Sequence, residues 1–226
     1  MERKQFLRTM GGAALAPLVP ASVTASGTAS AAVAPPACTF SPSVPEGPFY
    51  FDAKLVRQDI AEGRPGLPIE YRLSVVDASC KPVAHARIDV WQCDSDGVYS
   101  GYDGQAAGIS TVGMTFLRGI QTTNEQGLAR FASIYPGWYP RRLTHLHVKI
   151  HLSSRAVVTT NLFFPDAVNA QVYGSAPYKA RGGNPATVAD DVELKGDTSR
   201  FNALMLNVTR EANGRYVGTY RFGINA

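Results

Sequence analysis

Tyr135 to His151 reads YPGWYPRRLTHLHVKIH, and its last third decides the fold. From His145 to Leu152 the residues alternate. Leu146, Val148, Ile150 and Leu152 take one parity and His145, His147, Lys149 and His151 the other. Period-two alternation marks a β-strand with one apolar face. Three of the four histidines lie in this stretch, and the i, i+2 spacing of His145 and His147 projects both imidazoles from the same face. A His-x-His pair on a strand is a good bidentate donor for a transition metal. Taken alone it is more often a solvated polar face, and Lys149 and His151 on the same parity favour that plainer reading at the far end. His85 stands alone in a second predicted strand and reads as structural or exposed.

Working outward, the sequence predicts strands over 69–76, 84–92, 115–121, 128–134, 145–152, 155–164, 201–209 and 215–224, with turn residues at short spacing between them. The first two are expected to form a hairpin-like pair across the turn Asp77–Pro82. The last two are expected to form a hairpin about Asn213-Gly214, a strong turn pair. Residues 165–200 read as irregular and polar, with one short helix near 166–173. The expected fold is all-β, a β-sandwich of mostly antiparallel strands with long irregular loops and without an N-terminal helical domain.

The chain has 226 residues, 45% of them hydrophobic and 18% charged, with 21 Gly and 15 Pro, which is enough for one sizeable core. No run of 18 apolar residues predicts a membrane span, so stable membrane insertion is not expected. Residues 1–34 carry Arg3, Lys4 and Arg8 against Glu2, leaving +2 of the total +4 for the rest. That balance is too weak to argue for nucleic acid. The basic opening, the mildly apolar stretch 11–19 and the Ala/Ser/Thr run ending in small residues predict an export signal over 1–34, removed after use, with export to the periplasm or the extracellular space. The opening resembles a twin-arginine signal with Lys4 in place of the second arginine. Residues 35–226 are then expected to form a single domain.

Export allows disulfides, and three cysteines leave one over. Cys80 in a turn and Cys93 at the end of the following strand would stand about 25 Å apart. A bridge needs Cα atoms within about 7 Å. Cys38 is therefore expected in any disulfide, with Cys80 or Cys93.

Tyr99 follows an Asp-rich turn, and Tyr139 sits in a turn between two prolines. Each alone reads as a packed aromatic. Five phrases together say more: PEGPFY (45–50), DVWQCDSDGVYSGYD (89–103), FLRGIQT (116–122), IYPGWYPRRLTHLHVKI (134–150) and TNLFFPD (160–166). In this order they resemble the intradiol ring-cleavage dioxygenases, most of all the short exported subgroup. The resemblance runs from about residue 38 to 195.

It implies one non-haem Fe(III) per chain, held by Tyr99, Tyr139, His145 and His147. Phenolates are hard anionic donors suited to ferric iron. It implies a small aromatic diol and O₂ as substrates, cleavage between the two hydroxylated carbons to a cis,cis-muconate-type product, and so a role in aromatic compound catabolism. Tyr139 becomes the displaceable ligand and base, and Arg142 the group that stabilises negative charge on the substrate. Gly47, Pro48 and Phe49 are expected to line the substrate pocket. Asn161 joins them at a position where many relatives carry glutamine. The readings that compete are a non-catalytic exported β-sandwich binding module and the same cage holding another metal. Oligomeric state is left open.

Overall fold

The computed structural model describes residues 38–105 and 108–225, and the expected export signal over 1–34 lies outside them. Eight strands in the described residues make two four-stranded sheets. The first contains β1 (Pro68–Val76), β4 (Leu128–Ile134), β7 (Asn207–Arg210) and β8 (Tyr216–Gly223), in the order β4-β1-β8-β7. The second contains β2 (Arg87–Trp91), β3 (Arg118–Thr122), β5 (His145–Leu152) and β6 (Arg155–Phe163), in the order β3-β2-β5-β6. All pairings are antiparallel except β1 with β8. The expected all-β sandwich of mostly antiparallel strands is thus the observed fold.

The alternation in each strand explains the layering. In β1, Ile69, Tyr71, Leu73 and Val75 are at most 1% exposed, while Arg72 and Ser74 on the opposite parity are only partly covered. They meet Ile88, Val90, Leu146, Val148, Ile150 and Leu162 of the second sheet in one apolar core. β5 is unusual because its second face is also buried: His145 and His147 are 2% and 1% exposed. What covers that face is an N-terminal arm through residues 44–60 and the loop between β2 and β3.

Two expectations need correction. β1 and β2 do not pair. The turn after Val76 passes the chain from one sheet to the other, with only a bridge from Val76 to Pro82 to mark the attempt at a hairpin. A sandwich needs such crossings, and local sequence does not distinguish them from a hairpin. The predicted strand over 201–209 is a short helix α2 (Thr198–Ala203) followed by β7, because the Asp197 side chain accepts from Arg200 N and caps the helix. The helix near 166–173 is present as α1 (Asp166–Tyr173), and β7 and β8 form the terminal hairpin. Cys38 is bonded to Cys80, and Cys93 is buried and free. His85 lies in a turn at φ 60°, with its side chain largely exposed.

Candidate metal centre

Register assembles half of the site. Arg118 on β3 faces Trp91 on β2, Trp91 faces His147 on β5, and His147 faces Asn161 on β6. Directly opposed residues share a face, so one row of functional side chains crosses the whole sheet on the side away from the core. His145 lies two residues back on the same face, opposite Phe163.

Two turns bring in the rest. Asp94 opens the first, its Oδ1 accepting from Asp96 N and Val98 N, and Tyr99 follows directly. The second carries Gly137, Trp138 and Tyr139. The turns interlock through two glycines. A Cβ on Gly137 would lie 2.5 Å from the carbonyl oxygens of Asp94 and Ser95, and one on Gly97 would meet the Trp138 carbonyl at 2.2 Å. A side chain at either position would drive Tyr99 and Tyr139 apart. From α1, the Tyr173 hydroxyl donates to the Pro136 carbonyl at 3.3 Å, and the Tyr135 hydroxyl donates to Asn169 Oδ1 at 2.8 Å, bracing the second turn from behind.

Four donor atoms converge. The Tyr99 hydroxyl is 3.2 Å from His145 Nε2 and 3.0 Å from His147 Nε2; the Tyr139 hydroxyl is 3.2 Å from His145 Nε2; the two Nε2 atoms are 3.0 Å apart. Donors about 2.1 Å from a common centre stand about 3.0–3.4 Å apart at angles between 90° and 109°. The spacing therefore fits a first-row metal ion. His145 Nδ1 lies 2.5 Å from the Leu143 carbonyl, which holds its proton there and leaves the Nε2 lone pair free. Among the described residues no group of three or more His, Cys, Asp or Glu side chains is placed to hold a metal. Any ion here would use phenol oxygens.

The electrostatics suit the same reading. Burial pushes both histidines well below their usual range, so both are neutral. Burial raises the Tyr99 phenol well above 10, and it pushes Tyr139 up to about 12 against the pull of Arg142. Without a cation both phenols stay protonated. A bound cation has to displace those protons.

Arg142 is 4% exposed, and its Nη1 donates to the Tyr139 hydroxyl at 3.3 Å. Burial works against its charge, but Tyr139 and Asp191 outweigh burial and raise its pKa. Asp191 is fully buried. Its Oδ2 accepts from Arg142 Nε at 3.2 Å and from Leu143 N at 2.8 Å. Gly47, at φ 73°, faces His147, with a Cβ there 3.7 Å from the imidazole Cε1. Phe49 stacks on Tyr99 at 4.4 Å, and Pro48, which joins Gly47 to Phe49, is exposed. Asn161 is fully buried beside His147. With its amide oriented to satisfy its neighbours, Oδ1 accepts from Arg142 Nη2 at 2.6 Å and Nδ2 donates to His147 Nδ1 at 2.7 Å. It lies behind the imidazole, not on the open side with Phe49.

Tyr99, Tyr139, Arg142, His145, His147, Gly47, Phe49 and Asn161 are thus brought together, while Pro48 and His85 are exposed. Sequence reasoning missed Asp191, Trp91 and Arg118. Asp191 lies in the stretch 165–200 that reads as irregular and polar, and its complete burial is what distinguishes it.

A sequence model of a dioxygenase family matches residues 41–175. The chain belongs to the intradiol ring-cleavage dioxygenases. It is similar to hydroxyquinol 1,2-dioxygenases of Corynebacterium glutamicum, 30% identical over 138 residues, and of a Rhizobium species, 32% over 111 residues. These matches cover 52% and 41% of this chain but only 44% and 36% of those enzymes, so the chain spans less than half their length. Among solved structures it resembles an intradiol ring-cleavage dioxygenase from Tetranychus urticae, 29% identical with a TM-score of 0.75, covering 83% of this chain and 95% of that one. It also resembles the dioxygenase domain of a carbohydrate-binding fusion from Streptomyces sp. SirexAA-E, 27% identical with a TM-score of 0.60, over 83% and 99% of the two chains.

Proposed function

We propose that the protein cleaves vicinal aromatic diols with O₂ at a non-haem ferric centre held by Tyr99, Tyr139, His145 and His147, one per chain. The observation that carries this is the convergence of two phenol oxygens and two imidazole nitrogens at 3.0–3.2 Å, all but Tyr139 on residues almost wholly buried. A ferric ion bound there would supply Lewis acidity that draws protons from a diol and electron density from its ring. The names of the similar enzymes, hydroxyquinol 1,2-dioxygenases, support a benzene ring with adjacent hydroxyls as substrate.

The chain's own residues supply the rest. Phe49, stacked on Tyr99 and edge-on to Tyr102 and Tyr139, would give a flat ring an aromatic surface to pack on. Gly47 keeps the approach to His147 open. Tyr139, on its turn and only partly buried, takes a substrate proton at its phenol oxygen. Arg142 stays charged and is held by Asp191, so it faces negative charge developing on the substrate without reorganising. Diol and O₂ combine, both oxygen atoms ending in the two carboxylates of a cis,cis-muconate-type product.

The Cys38–Cys80 disulfide and the leader over 1–34 support export to an oxidising compartment. Ferric reconstitution tests the main reading. The expected result is a wine-red protein with one iron per chain that consumes O₂ with catechol and forms a ring-opened product. A protein that stays colourless and inactive after reconstitution overturns it.

A further inference from the structure

Arg118 is 3% exposed, and among the described residues no carboxylate pairs with it. An unpaired buried guanidinium is costly. Burial lowers its pKa to about 10, which leaves it charged at neutral pH. Its hydrogen bonds go elsewhere. Nε donates to Ser100 Oγ at 2.8 Å, Nη2 to the Ser100 carbonyl at 2.8 Å, and Nη1 to the Phe49 carbonyl at 2.7 Å. Its outer faces lie over Phe51, at 4.2 Å from the ring centroid, and Tyr102, at 5.7 Å. One fork thus joins the residue after Tyr99 to the residue stacked on Tyr99. Leu or Met would fill the space without desolvating a charge, but neither makes those three bonds. Lysine has the charge without the planar fork.

We infer that Arg118 is a positioning residue for the metal site: it clamps the Phe49 arm to the Tyr99–Ser100 backbone and so holds the Tyr99 phenol oxygen at the donor cluster. No such fork ties the Tyr139 backbone among the described residues; its hydroxyl meets Arg142 Nη1 and His145 Nε2. The inference rests on the ferric reading for its consequences in turnover, but the clamp itself is a property of the metal-free chain.

The test compares Arg118→Met and Arg118→Lys with the unaltered protein. In the metal-free protein labelled with 3-fluorotyrosine, both variants are expected to shift and broaden the Tyr99 ¹⁹F resonance. After ferric loading, both are expected to keep one iron per chain but to displace the visible phenolate band, and kcat/KM falls about 10- to 100-fold. A merely structural arginine would lower the melting temperature and leave the band in place. If Arg118→Met does not fold, Ser100→Ala, which removes one acceptor, is expected to move the same signals less in the same direction. An unchanged Tyr99 resonance in the folded variants overturns the inference whether or not iron binds. A visible band absent from the unaltered protein defeats the ferric reading and leaves the ¹⁹F comparison to decide this one.

Discussion

The indole of Trp91 lies flat on the imidazole of His147, with ring centroids 4.7 Å apart and planes within 5°. The stack follows from the strand register, in which the two residues are directly opposed. It leaves the His147 ring no room to turn about its χ2 axis. Trp91→Leu is expected to cost about 2–4 kcal/mol of stability and to weaken iron retention about tenfold or more. Thermal melts and iron content after dialysis against a chelator measure both.

His147 and Tyr139 should separate metal binding from turnover. His147→Ala removes a neutral donor from the buried cluster and is expected to abolish ferric binding and colour. Tyr139→Phe leaves three donors and is expected to keep iron while slowing turnover by about 10²-fold or more. Metal analysis beside oxygen uptake distinguishes the two. Normal iron content and activity in His147→Ala would remove it from the ligand set.

Asn161 bonds to both His147 and Arg142, so its substitutions should move metal affinity. Nδ2 now donates to His147 Nδ1, an arrangement that puts the ring proton on Nε2. Binding a cation through Nε2 requires the proton on Nδ1 and an acceptor beside it. Asn161→Asp supplies acceptors to both neighbours and is expected to tighten ferric binding. Asn161→Ala removes that donor, lets the ring proton move to Nδ1 and is expected to tighten binding by a smaller factor. Competition with a chromogenic chelator reads either change.

Much of this site was legible because β-structure makes it so. The alternation from His145 to Leu152 settled which parity faces the core, and it fixed both imidazoles on the other side. The glycines and prolines around Tyr99 and Tyr139 marked rigid turns. What stayed hidden was pairing over long range. Nothing local says that Arg118, Trp91, His147 and Asn161 form one row, because three separate registers set it. Nor does the sequence from Ile69 to Gln92 show that its two strands enter different sheets. A turn that closes a hairpin and a turn that crosses a sandwich use the same residues.

Asp191 is expected to be worth more to stability than its loop position suggests. Its Oδ1 accepts from Glu193 N and Leu194 N, and its Oδ2 from Leu143 N and Arg142 Nε. Asp191→Asn turns one acceptor into a donor facing donors and leaves Arg142 without its anion. The expected loss is about 3–5 kcal/mol, read as a melting temperature lower by roughly 10 °C.

Glu70 gives a pH signature away from the site. Burial opposes its charge, but bonds to Arg72, Arg130 and Arg215 outweigh burial and lower its pKa. A carboxylate with a depressed folded pKa contributes stability above its unfolded value, and that contribution disappears as pH falls through the folded one. Glu70→Gln is therefore expected to cost about 1–3 kcal/mol at pH 7, with the gap to the unaltered protein closing below about pH 4. Denaturant titrations at pH 7 and pH 3 check the sign.

The parallel pairing of β8 with β1 has a consequence for how the molecule is made. β8 lies between β1 and β7, and Gly223 also accepts from Ser41 N of the N-terminal arm. The first sheet therefore stays open through its middle until β8 docks, and the Ser41 end of the arm waits for it, while Val44, Arg57 and Ile60 bond to β6, β3 and β4. A nascent chain stalled before Tyr216 would present the bare edge of β1 to its neighbours.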